Sequence, residues 1–170
     1  MTYKWIGAVL VLVSCGGFGF AIASGYRREE QRLRQLLRAL QYMECELQYQ
    51  LTPLPDLCRQ AGLETSGCVR EVLNKLAGEL ESQIAPDVSS CMRAAIEDYQ
   101  DFSKRFRRLM LQLGRTLGRF DLAGQIQGLQ AVQASCIQEQ KALEQNRDMR
   151  LRSYRTLGLC AGAALAILFA

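Results

Sequence analysis

The chain has 170 residues, 49% hydrophobic, 22% charged and 8% aromatic, with three prolines, which excludes disordered, collagen-like and Pro-rich linker chains. Lys and Arg outnumber Asp and Glu by 21 to 17, too mild an excess to imply nucleic acid by itself. Histidine is absent, which removes the usual zinc-hydrolase ligand sets, Ser-His-Asp and Cys-His triads and any histidine proton switch.

The first element is apolar. Trp5 to Tyr26 carries no charge over 22 positions. As a helix it covers about 33 Å, enough for a hydrocarbon core of about 30 Å. Lys4 precedes it, and Arg27, Arg28, Arg32, Arg34 and Arg38 follow it. Under the positive-inside rule the following domain is cytoplasmic, and Glu29 and Glu30 do not cancel that bias. Two rival readings exist. Leu12-Val13-Ser14-Cys15 resembles a lipoprotein cleavage box, and Ala21-Ile22-Ala23 a signal-peptidase site. Against the first, Gly16 to Ser24 stays apolar where a lipoprotein turns polar. Against the second, the arginine cluster sits just beyond the cut, where it opposes export. An uncleaved anchor is the reading carried forward.

Residues 27–155 read as helix almost throughout. Leu33, Leu36, Leu37, Leu40, Met43, Leu47 and Leu51 make one stripe in steps of three and four, continuing from the anchor. It stops at Thr52-Pro53-Leu54-Pro55-Asp56, where Thr52 is placed to N-cap a second helix with Pro53 at its first position. Leu54, Leu57, Cys58 and Ala61 line that short helix, which closes near Gly62. A third helix is expected from about Cys68 to Gln83, and Pro86-Asp87 breaks the chain after it. From Val88 to Leu117 one stripe runs through Met92, Ala95, Ile96, Tyr99, Phe102, Phe106, Leu109 and Leu113. Its spacing is coiled-coil-like and its aromatics suggest a packed hairpin. Gly118 suits the residue just past a helix end and Asp121 the next N-cap. The last helix carries Leu122, Ile126, Leu129, Val132, Cys136, Leu143 and Leu151, with a polar middle at Gln138 to Lys141.

That helix leads into a second apolar segment, Leu157 to Ala170, preceded by Arg150, Arg152 and Arg155. Fourteen residues cover about 21 Å, short for a crossing, although a start at Ser153, snorkelling arginines and bilayer thinning narrow the gap. Small residues recur every four positions at both ends, at Gly17, Ala21 and Gly25 and at Gly158, Gly162, Ala166 and Ala170, which permits close helix packing in lipid. The expected architecture is all-α, an antiparallel bundle of five or six helices with an N-terminal transmembrane helix and a short C-terminal apolar helix. The chain divides into an anchor at 1–26, a cytoplasmic bundle at 27–155 and an apolar membrane segment at 156–170.

No catalytic constellation stands out, and neither an enzyme activity nor a small-molecule substrate is expected. Phosphate-binding glycine motifs are absent. Seven cysteines occur without a C-x-x-C pair, so they read as reduced, mostly buried thiols rather than a metal or disulfide framework. No cofactor or metal is expected. Glu44 and Glu46 face about 200° apart on a helix and cannot serve one water. They are candidates for partner contact or local charge capping. Lys104, Arg105, Arg107 and Arg108 form a basic run, read as the solvated back of the Phe102–Leu109 stripe or as a contact for anionic headgroups or an acidic partner. Nucleic acid is not expected, since no groove-reading motif occurs.

Two segments together carry a resemblance. Leu40-Gln41-Tyr42-Met43-Glu44-Cys45-Glu46-Leu47-Gln48-Tyr49 followed by Thr52-Pro53-Leu54-Pro55-Asp56 resembles the "LxxLExEIxY…TPLPEA" stretch of the stage III sporulation protein AB family. Leu113-Gly114-Arg115-Thr116-Leu117-Gly118-Arg119-Phe120-Asp121, with Gln125 and Leu129, resembles that family's "LGxxLGxxDxxxQ" turn. Gln41, Tyr42, Cys45 and the Gln50-Leu51 pair depart from the usual pattern. The resemblance implies a non-catalytic component of an assembly that links mother cell and forespore, located in the mother-cell membrane facing the forespore. The family's domain is similar to the cytoplasmic domain of the type II secretion platform protein. A membrane and the other channel subunits, including a secretion-type cytoplasmic ATPase, are the partners so implied. A regulatory or adaptor bundle without a secretion role, and an exported lipoprotein, are the alternatives. Gly114, Gly118 and Asp121, with Thr52, Pro53 and Pro55, are expected to shape turns.

Overall fold

The computed structural model describes the backbone of residues 2–50, 52–82, 86–118 and 121–169, and the side chains of residues 25–146 apart from 51, 83–85, 119 and 120. Six helices follow one another: α1 (Thr2–Tyr49), α2 (Leu54–Leu63), α3 (Cys68–Ser82), α4 (Val88–Glu97), α5 (Lys104–Thr116) and α6 (Leu122–Phe169). No strand occurs among the described residues, so the fold is all-α. Each helix packs on the next in order, and α6 returns to lie on both α1 and α5. The ring so closed surrounds one core.

The stripes foreseen in the sequence supply that core. Leu33, Leu36, Leu40, Met43 and Leu47 of α1 are buried, as are Val69, Val72, Leu73 and Leu76 of α3. Burial of this kind contributes about 1.5–3 kcal/mol per large side chain, which sets the helices' faces more firmly than propensity does. Among its described side chains, helix α6 adds Leu129, Val132 and Cys136 to the buried set.

Two expectations are corrected here. Pro53, not Thr52, is the N-cap of α2: its extended backbone (ψ 143°) leaves its carbonyl free to accept the Leu57 N–H at 2.9 Å. Pro55 then sits in the first turn, where its missing N–H costs nothing. The Thr52 hydroxyl donates instead to Glu46 Oε1 at 2.9 Å.

The stripe from Val88 to Leu117 is likewise not one helix. It divides into α4 and α5 around a tight reversal at residues 98–103. Ser103 starts α5 by accepting the Phe106 N–H on its hydroxyl at 3.0 Å, while that hydroxyl donates to Glu29 of α1. Arg32 of α1 holds the same reversal by donating to the Asp101 carboxylate and, at 3.1 Å, to the Asp101 carbonyl, with its guanidinium carbon 5.2 Å from the Phe102 ring centroid. Phe102 stacks on Tyr99 and meets Phe106 edge-on, both at 4.9 Å between centroids. Apolar steps of three persist through the reversal because these rings stay packed together, which hides the break from a spacing argument.

Glycine decides two contacts. Gly118 has φ +71°, a left-handed conformation that ends α5 and favours glycine. Gly128 of α6 lies so close to Thr116 of α5 that a β-carbon there would stand 1.9 Å from Thr116 Cγ2. Among the described residues, no helix is long and apolar enough to cross a membrane. The expected apolar segments 1–26 and 156–170, with Gly17, Ala21, Gly158, Gly162 and Ala166, lie outside the residues whose side chains are described, save Gly25 and Tyr26. A β-carbon on Gly25 would meet nothing within 4 Å.

Candidate interaction surface

The two glutamates singled out in the sequence turn inward to the protein's own polar groups. Glu44 accepts from Gln130 Nε2 at 2.6 Å and from Gln133 Nε2 at 2.7 Å, so both its oxygens are used to tie α1 to α6. Glu46 accepts from Thr52 across the α1–α2 turn. Their opposite placement on α1 sends each to a different neighbour.

Gly114, expected in a turn, lies within α5. A β-carbon there would come 2.6 Å from Met92 Cβ, so the glycine permits close approach of α4 and α5. Asp121 caps α6, with Gly124 N–H donating to its Oδ1 at 3.1 Å.

The described cysteines are free, and Cys58, Cys91 and Cys136 among them are buried. Burial pushes the Cys58 thiol up to about 12. Burial, with Glu139 nearby, does the same to Cys136. The Cys68 thiol is also raised, by burial that outweighs the pull of Arg32. A thiol that keeps its proton at neutral pH is neither a nucleophile nor a ready metal ligand. No group of three or more metal-ligating side chains occurs among the described residues.

What remains is the outer side of the α4–α5 hairpin. Helix α5 carries five cations (Lys104, Arg105, Arg107, Arg108 and Arg115) and no acidic residue. Four of them crowd its first two turns, beside the positive end of the helix dipole, where a cation costs about 0.3–1 kcal/mol at low salt. Two have internal partners: Arg105 reaches Glu139 of α6 at 3.3 Å, and Arg107 donates to the Tyr99 carbonyl at 2.9 Å. Lys104, Arg108 and Arg115 are exposed and make no hydrogen bond or ion pair among the described residues. They line a shallow groove of about 550 Å³ with Leu111 and Gln112 on its wall. An adjoining groove of about 470 Å³ shares Arg107 and Leu111 and adds Arg93 of α4. The basic run is thus wider than its sequence suggests, since Arg93 and Arg115 join it only through folding. A 3.6-residue repeat places position 115 in line with 104 and 108, and that periodicity was the available signal.

A family model described as stage III sporulation protein AB matches residues 4–170. Stage III sporulation protein AB of Bacillus subtilis (strain 168) is 26% identical over 167 residues, covering 97% of this chain and 98% of its own. A solved structure of a stage III sporulation protein AB superposes with a TM-score of 0.64 at 21% identity, over 72% of this chain and 98% of that one, a likeness of fold. The motifs around Glu44 and Gly118, the helical bundle and a match along nearly the whole length agree: the chain belongs to the stage III sporulation protein AB family, whose role lies in sporulation.

Proposed function

We propose that this protein is a non-catalytic, membrane-anchored scaffold, a secretion-platform-like component of the channel between mother cell and forespore. Its bundle stands in the cytoplasm and couples a secretion-type ATPase to the membrane assembly. The observation that carries this reading is the pairing of the two terminal helices. Helices α1 and α6 are each 48 residues long and lie together, with the bundle inserted between them in sequence. Each continues without a break toward an uncharged stretch at its own end of the chain, and each stretch has arginines on the bundle side. Two anchors joined to one rigid bundle suit a part that must hold position under load. The raised thiols and the internal use of Glu44 and Glu46 favour a structural role over a chemical one.

The test is made in a spore-forming host lacking its own copy. The full chain is expected to restore heat-resistant spores and to sediment with membranes. A chain carrying Leu12→Arg and Phe18→Arg is expected to do neither, because a charge at the centre of a crossing helix costs about 2.5–3.5 kcal/mol on insertion scales. Full restoration by a variant found in the soluble fraction would contradict the anchored scaffold.

A further inference from the structure

The basic side of α5 is arranged for something outside the bundle. Four of its five cations lie beside the positive end of their own helix dipole, an arrangement that opposes folding. Some exposed cations elsewhere are paired within the fold: Arg59 reaches Glu81 at 2.6 Å, Lys75 reaches Asp98 at 2.5 Å, and Arg34 pairs with Glu30 one turn away. Lys104, Arg108 and Arg115 have no such partner among the described residues. At 3.6 residues per turn the three fall within about 40° of one line along α5, over a length of about 16 Å. Leu111, half-buried, lies on that line between Arg108 and Arg115 and gives the groove an apolar floor.

We infer that this row is the docking site of an acidic protein partner, one that lays an elongated segment, most simply a helix with carboxylates on one face, along α5. The direction of the row selects a protein over a lipid surface. Arg105 meets Glu139 and Thr116 meets Gly128, so α5 runs antiparallel to α6 over eleven residues of each. The row therefore lies along the long helices. If those helices stand in the membrane, as proposed above and as this step requires, a headgroup plane meets one end of the row only. The other end lies about 16 Å away, beyond a Debye length of about 8 Å at physiological salt. An apolar floor within a row of cations also fits a side-chain-bearing partner better than a layer of phosphates. Complementary charge of this kind fixes register and speeds encounter more than it adds affinity.

The experiment uses the full chain in nanodiscs of zwitterionic phosphatidylcholine. The probe is a fluorescent helical peptide whose glutamates are spaced to face Lys104, Arg108 and Arg115, read by anisotropy at low and at physiological salt. Binding that weakens with salt is expected. Lys104→Glu, Arg108→Glu and Arg115→Glu together are expected to weaken it at least about tenfold, about 1.4 kcal/mol. A control with the same change in net charge (Arg34→Glu, Arg38→Glu and Lys141→Glu) is expected to weaken it less than about twofold. Circular dichroism is expected to show the α5 variant as helical as the parent, since reversal removes repulsion at a helix start. Equal losses in both variants would mean diffuse attraction and overturn the site. So would failure of the peptide to bind while nanodiscs of phosphatidylglycerol hold the bundle through the same three residues, which would make the face a lipid contact. Peptide binding is read without reference to the side of the membrane, so its outcome is separable from that of the anchored-scaffold reading.

Discussion

The α4–α5 hairpin and the α1–α6 pair are joined by different chemistry. In the hairpin, contact is apolar and close: Phe106 and Met92 are fully buried, and Gly114 brings α5 against Met92. In the long pair the described residues also meet through polar contacts, carried by Glu44 with Gln130 and Gln133, and by the Cys136 thiol donating to the Leu33 carbonyl at 3.3 Å. The side-chain nitrogen of Gln140 is buried there without a partner among the described residues. The hairpin thus acts as the packed wedge and the long pair as a frame with a selective seam. Apolar packing contributes more energy, whereas each hydrogen bond across a half-buried seam adds only about 0.5–1.5 kcal/mol net.

Removing bulk from the wedge is expected to have the largest effect. Phe106→Ala should lower unfolding stability by about 3–5 kcal/mol in denaturant titration, because the ring is fully buried among aromatic and aliphatic neighbours. A loss below about 1 kcal/mol would mean that the wedge is not the core. Adding bulk where wedge and frame meet comes next. Gly128→Ala would set a methyl group 1.9 Å from Thr116 Cγ2, against a short β-branched side chain whose Cβ is also within 3.2 Å, and should cost about 1–3 kcal/mol. The paired variant Gly128→Ala with Thr116→Ser removes the opposing methyl and should recover part of that loss.

Breaking the frame's polar seam is expected to cost less. Glu44→Ala leaves two glutamine amides without their acceptor and should cost about 1–2 kcal/mol. Glu44→Gln, which keeps one acceptor, should fall between that variant and the parent. Equal stability of all three proteins would show that the seam is solvated rather than tied.

At neutral pH the smallest effect belongs to two thiols. Burial holds the Cys58 and Cys136 thiols near about 12, against an ordinary value of 9.0. The folded chain therefore keeps protons that the unfolded chain gives up, and this contribution is complete below about pH 9 and lost as pH climbs toward 12. Unfolding free energy should be insensitive to these thiols at neutral pH and should fall above about pH 9. The double variant Cys58→Ala and Cys136→Ala should show a shallower alkaline slope.

The same contrast explains how far the sequence could be read. Stripes at steps of three and four located α1, α2, α3 and α6, because a helix facing a core must repeat its apolar residues at that period. The division between α4 and α5 did not show, since the packed rings of Tyr99, Phe102 and Phe106 kept the period through a reversal free of glycine and proline. Ser103, three residues before Phe106, was the one local sign of a new helix start. At the basic surface, residue type was legible but engagement was not. Whether an arginine is satisfied depends on Glu139, which lies 34 positions from Arg105, or on a carbonyl exposed by the reversal. Arg32 shows the reverse case. It read as part of a topological charge cluster, yet it clamps the α4–α5 reversal onto α1.

The most direct test of an anchored bundle with its mass in the cytoplasm is sidedness at one position. The native cysteines are replaced by Ala, and Ser82, exposed at the end of α3, is changed to Cys. Intact cells are treated with a membrane-impermeant maleimide, with lysed cells as the reactivity control. Labelling only after lysis is the expected result and places the bundle on the cytoplasmic side. Labelling in intact cells would put it outside and remove any coupling to a cytoplasmic ATPase.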